Sequence, residues 1–250
     1  MIVRQLLHTS PVVAASYVVA CGGKQAAIVV DPVDEPRAYL DIAAQTSTRI
    51  QYVIDTHVHA DHVSTGPALT QAAGAKYVLH ANADARFPFH GVRDGDRLEI
   101  GNVLVDVWHV PGHTPEHIAL VVTDRTRAAE PWLVFTGHTL MVGDMGRTEL
   151  ASSAEEGARS LFESAERFRT LPDYVQVMPG AFAGSVCGRA LSATPFSTIG
   201  FERRFNRAFA VTERAAFIEY MLREIPPRPP NAAETREANL GRGLVGVSGS

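Results

Sequence analysis

The 250-residue chain is 46% hydrophobic and 20% charged, the balance of an ordinary soluble globule long enough to bury a sizeable core. A formal net charge of -4 argues against a phosphate-backbone partner, so no nucleic acid is expected. Two cysteines, Cys21 and Cys187, form no Cys-x-x-Cys pair, which excludes a disulfide framework or a thiolate zinc site and points to a reduced, cytoplasmic setting.

Ile2 to Leu7, Ser16 to Cys21 and Ala26 to Val30 read as three short strands, the last two joined by a Gly22-Gly23-Lys24 turn. The apolar stretch Pro11 to Cys21 is broken by Ser16 and Tyr17 and runs into another strand, unlike a leader. No apolar run reaches the roughly 18 residues of a membrane span, so no membrane partner is expected. Pro36 suits the first turn of a helix that carries Tyr39, Ile42 and Ala43 on one face to about Gln45. Ile50 to Ile54 is a buried strand, and it delivers the chain to Thr56-His57-Val58-His59-Ala60-Asp61-His62.

Four metal-capable side chains, His57, His59, Asp61 and His62, lie within six residues here. Imidazole and carboxylate are the ligands of zinc and non-heme iron, and packing them together at a strand end without a cation would leave cationic or unpaired polar groups side by side. The stretch is read as a metal loop. A helix from Gly66 to Ala73 and a strand at Tyr77-Val78-Leu79 follow it.

Short strands then succeed one another, Arg97 to Ile100 and Val103 to His109, joined by Gly101-Asn102. Pro111-Gly112-His113-Thr114-Pro115 puts His113 on a loop before the strand Ile118 to Val122. Trp132 to Phe135 ends at Thr136-Gly137-His138. Ser153 with Glu156 is a capping box for a helix carrying Ala158, Leu161, Phe162, Ala165 and Phe168 at helical spacing. Val175 to Met178 is the next strand, Pro179 to Pro195 a small-residue loop, and Thr212 to Arg223 the last helix. From Pro226 to residue 250 a Pro/Gly-rich tail is read as irregular. His117, four residues after His113 but on a loop entering a strand, is read as structural, as are His8, His80, His90 and His109; Cys187 is read as a small apolar filler.

These motifs, in this order over roughly residues 1–225, resemble the metallo-β-lactamase superfamily in its glyoxalase II and persulfide dioxygenase branch. The resemblance implies one α/β domain, a four-layer αβ/βα sandwich with the metal site where strand-end loops converge. Gly146-Arg147-Thr148-Glu149 is similar to a Gly-Arg-Thr-Asp segment of persulfide dioxygenases. Residues 183–188 and 197–204 resemble dioxygenases fused to rhodanese modules; none is read here, so a free-standing enzyme, or one with a separate sulfur-transfer chain, is expected.

Two departures matter. His138 stands where relatives place a metal-bridging Asp, and a neutral imidazole offers one lone pair to one ion. Ala181 stands where two-metal members have a His. One metal per chain is therefore expected, drawn from His57, His59, His113 and His138, with Asp61 and His62 beside it as acid/base groups. His138 either ligates or swings away, leaving Asp144 or water in its place. By the resemblance, Fe(II) on His57, His113 and His138 would support oxygenation of a thiol or persulfide, with Arg147 holding a substrate carboxylate. The alternative is Zn(II) on His57, His59 and His113 hydrolysing a thioester with Asp61 as base. A third is a homologue that binds without turnover. A homodimer is compatible with the resemblance.

Overall fold

The computed structural model describes residues 1–223, 225 and 227–242. Two six-stranded sheets face each other. The first contains β1 (Ile2–His8), β2 (Ala14–Cys21), β3 (Ala26–Val30), β4 (Arg49–Ile54), β5 (Lys76–His80) and β6 (His90–Val92) in that spatial order. β1 to β3 form an antiparallel meander; β3 to β6 run parallel. The parallel part requires crossovers, supplied by α1 (Pro36–Gln45) and α2 (Gly66–Ala73). The second sheet is ordered β12-β11-β10-β9-β8-β7, from β7 (Arg97–Ile100), β8 (Val103–His109), β9 (Ile118–Asp124), β10 (Leu133–Gly137), β11 (Gln176–Pro179) and β12 (Ser197–Thr198). α3 (Ala154–Arg169), α4 (Ile199–Phe205), α5 (Arg214–Leu222) and α6 (Ala232–Asn239) complete the chain.

The layering follows from alternation along the strands. Tyr17 and Val19 of β2, and Ile118, Leu120 and Val122 of β9, point into one cluster between the sheets. Their neighbours turn the other way: Val18 and Ala20 pack with Tyr39 and Leu69 under α1 and α2, while Ala119 and Val121 pack with Leu161 and Phe168 of α3. Three apolar layers between four structural layers make the expected αβ/βα sandwich. α3 starts as the capping box requires, Ser153 Oγ accepting from the Glu156 N–H at 3.2 Å.

Small differences from the sequence reading have local causes. β6 and β12, three and two residues long, carry no periodicity to detect. The stretch read as an irregular tail contains α6, because its prolines cluster before residue 231 and the helix formers Ala-Ala-Glu-Thr-Arg-Glu-Ala follow; positions 226 and 243–250 of that reading lie outside the described residues. Among the described residues no helix is long and apolar enough to cross a membrane.

The loops after β4, β8 and β10 reach the same end of the sandwich. The Ile118 N–H donates to the Thr56 carbonyl at 2.8 Å, pinning the loop after β4 to the start of β9 in the facing sheet. On the other side, Tyr17 Oη donates to the Pro179 carbonyl at 2.6 Å, tying β11 to β2.

Candidate metal centre

His57 leaves β4 on a peptide gripped by Asp31, which stands at the end of β3. The carboxylate accepts from the Thr56 N–H at 2.7 Å and from Thr56 Oγ1 at 2.8 Å. With its proton so committed, Thr56 Oγ1 must accept from His57 Nδ1, 3.0 Å away. The Nδ1–H tautomer follows, and Nε2 keeps its lone pair. That atom is buried without a hydrogen-bond partner.

His113 is set in the same way. Its Nδ1 donates to the Arg147 carbonyl at 2.8 Å, leaving the Nε2 lone pair turned 3.3 Å from Nδ1 of His138. His138 is held at its backbone, its N–H donating to Nε2 of His117 at 3.1 Å. The three rings of His57, His113 and His138 stand 4.7–5.0 Å apart by centroid, and one ligand atom from each lies within 4.8 Å of the others. Two nitrogens on one ion about 2.1 Å away would sit roughly 3–3.5 Å apart, so small side-chain rotations suffice to close the set.

Two glycines are required for this approach. Gly137 adopts φ +50°, and a Cβ there would come within 2.5 Å of the His117 ring and 2.6 Å of Thr56 Oγ1. A Cβ on Gly146 would fall on the His138 carbonyl.

Burial lowers all three histidines, and each is lowered further by neighbouring rings. His57 lies well below its ordinary value, His113 falls to about 3, and His138 is lowered despite Asp61. Neutral imidazole is the form that ligates. Buried lone pairs without donors are costly. A borderline divalent ion such as Fe(II) or Zn(II) answers the unpartnered His57 lone pair beside the His113 and His138 nitrogens, so the donor set fits a first-row metal.

His59 behaves differently. Burial would lower it, but Asp31 at 3.5 Å, with Asp55 and Asp61 behind, raises it to about 9. Its ring stands 4.3 Å from that of His57 by centroid, and its nitrogens lie within 4.8 Å of ligand atoms of Asp61 and His62 on one side and of Asp31 and Asp55 on the other. His62 Nδ1 lies 2.9 Å from Asp61 Oδ1, and its Nε2 is buried without a partner. Burial would raise Asp61; the His62 hydrogen bond and nearby rings hold its carboxyl far below the usual carboxylate range instead.

Other expectations shift as well. Arg147 was read as a carboxylate holder, yet its guanidinium is buried, paired with Glu149 and donating to the Val186 and Pro227 carbonyls at 3.0 Å each. Asp144 is no substitute for His138, because Arg189 takes both its oxygens at 2.8 and 3.1 Å. Ala181 is buried and offers no ligand.

Cys187, read as filler, sits at the site: its thiol donates to Asp61 Oδ2 at 3.7 Å, and burial first, then Asp61, pushes it well up. His117 was read as structural, and its lone pair is indeed spent on the His138 N–H, while its ring stacks on His57 at 4.7 Å. The positioning role of Asp31 had a signal, an acid closing a strand beside the metal loop. Cys187 had only its family-like segment.

A model for the metallo-beta-lactamase superfamily matches residues 9–180. A Bos taurus protein named persulfide dioxygenase ETHE1, mitochondrial, is 25% identical over 250 residues, covering 98% of this chain and 89% of that one. A hydroxyacylglutathione hydrolase of Acaryochloris marina is 30% identical over 177 residues, covering 68% of this chain and 66% of its own length. Among solved structures, a metallo-beta-lactamase from Staphylococcus aureus superposes with TM-score 0.90 at 32% identity, over 96% of this chain and 72% of that one. ETHE1 from Myxococcus xanthus does so with TM-score 0.83 at 30% identity, over 97% and 100%. With the family match spanning residues 9–180 and its two sheets and helices superposing on these structures, the chain belongs to the metallo-beta-lactamase superfamily.

Proposed function

We propose that the chain is a mononuclear non-heme iron dioxygenase acting on the sulfur of a small thiol or persulfide, with His57, His113 and His138 as the metal ligands. The observation that carries this reading is the convergence of three buried imidazoles, two of which have their outer nitrogens fixed by Thr56 Oγ1 and the Arg147 carbonyl. Fe(II) on such a face, when bound, supplies open positions and the redox chemistry that O₂ and sulfur require.

The chain's own groups orient and protect that centre. Asp31 and Thr56 fix the His57 tautomer, and His117 holds the His138 backbone. Asp61, kept ionised and hydrogen-bonded to His62, is the group positioned to take a proton from an incoming S–H. Arg147 is assigned to holding the Val186–Cys187 segment over the site instead of a substrate carboxylate. The relatives named as persulfide dioxygenases support the substrate class.

A second reading rests on the other cluster. His59, Asp61 and His62 also bring ligand atoms within 4.8 Å, and zinc there or beside His57 would suit thioester hydrolysis with Asp61 as base, as the relatives named hydroxyacylglutathione hydrolase suggest. The two separate in one assay pair. Iron-loaded protein should consume O₂ with glutathione persulfide and leave S-lactoylglutathione intact. Thioester turnover by zinc-loaded protein, with no O₂ uptake by the iron form, would overturn the first reading.

A further inference from the structure

Residues 57–63 belong to no helix or strand, yet His57 to Ala60 and His62 are buried, with Asp61 half-buried and Val63 exposed. Buried backbone groups need partners, and here the partners come from a helix distant in sequence. Asn239, the last residue of α6, donates through Nδ2 to the carbonyls of His59 at 2.9 Å and His62 at 2.8 Å, and its Oδ1 accepts from the Ser64 N–H at 2.9 Å. One amide side chain thus fixes three backbone groups of the loop.

Arg236 lies one turn earlier on the same face. Its Nη1 donates to the Val58 carbonyl at 2.9 Å, and its fork grips both oxygens of buried Glu116 at 3.0 and 2.9 Å. Glu116 accepts in turn from the Val58 N–H at 2.9 Å. The Val58 peptide is therefore held from both sides by one ion pair, whose Glu116 also sits beside the loop of His113. α6 is itself anchored at its ends, Ala232 against Ala60 and Leu150, and Leu240 in the layer beneath α1 and α2.

We propose that Asn239 and Arg236 are positioning residues for the metal centre: through the peptides of residues 58–64 they set the directions in which His57, His59 and His62 present their rings. This rests on the metal reading above. Neither residue approaches the reacting atoms; both act through the loop. Removing Asn239 leaves two buried carbonyls and one N–H without partners, so the loop relaxes and the imidazoles lose their convergence even where the rest of the fold stands.

The test uses Co(II) as probe, since its visible bands report coordination, together with hydrogen exchange on the metal-free full chain. Asn239→Ala should release Co(II) to a chelator at least about tenfold faster than wild type, with altered visible bands. The amides of residues 58–64 should exchange at least about tenfold faster while those of α3 do not change. Asn239→Asp, which keeps the acceptor for Ser64 but loses both donors, should behave like the alanine variant. Should Asn239→Ala fail to fold, Arg236→Lys, which can still reach the Val58 carbonyl but not fork onto Glu116, is read out identically. Normal Co(II) uptake with release and exchange within about twofold of wild type would overturn the positioning role. Failure of the wild-type chain to take up Co(II) at all would overturn the metal reading and this proposal with it.

Discussion

In the proposed site, His138 bears most directly on how many ions could be held. A carboxylate in its place could share two oxygens between two ions, whereas its imidazole directs one lone pair at one. If it is a ligand, His138→Ala leaves two histidines facing an ion, too few to keep it through gel filtration against a chelator, and metal content should fall to near zero. Retained metal in that variant would show that His138 stands outside the coordination set. Gly137 makes a related point about space. Gly137→Ala must push a methyl group into the His117 ring at a positive φ, and should cost more than about 2 kcal/mol in urea unfolding. Gly95 also has a positive φ but meets nothing within 4 Å, so Gly95→Ala should cost only about 1 kcal/mol. Equal costs would mean that crowding at the site is not what selects glycine at 137.

Elements behave as their sequences dictate where the signal is periodic. α3 is the plain case: its cap, its apolar face and its length are all written in residues 153–169, and Leu161 and Phe168 are buried completely against the second sheet. Leu161→Ala should destabilise by about 2–5 kcal/mol, as cavity formation in a packed layer does, with the denaturant slope unchanged; a loss below about 1 kcal/mol would mean that this layer re-packs freely. All strands except β6 and β12 were legible because alternation is a short-range property; the cluster His57 to His62 stood out by its spacing, whereas His138 drew notice only through the resemblance to a family. What escaped had long-range causes. β6 and β12 exist by pairing with β5 and β11, not by propensity. The raised proton affinity of His59 depends on Asp31, which stands at the end of another strand and reaches it only in three dimensions. Arg147 was assigned by similarity of its motif, and the motif says nothing of Glu149 and two carbonyls claiming the guanidinium.

At the scale of the whole molecule, the second sheet and α6 act on the same loop. Glu116, at the mouth of β9, is the joint. Burial would raise its carboxyl, but the Arg236 fork and the Val58 N–H hold it below the ordinary 4.5. A carboxyl lowered on folding adds stability that is complete above its unfolded value and is lost as pH falls through its folded one. Glu116→Gln in the metal-free chain should therefore be destabilised at about pH 7, and its deficit against wild type should shrink steadily below about pH 4.5. A deficit independent of pH would deny the ion pair its part in joining these elements. The sandwich thus delivers its loops to one end, the loops are fixed by side chains from both halves, and three buried imidazoles converge there, the site proposed to hold one metal. Elemental analysis of the protein isolated from iron-supplemented cells tests that claim most directly. A content near one metal per chain, predominantly iron, is the result expected; a content near two, or a chain that carries none, would contradict it.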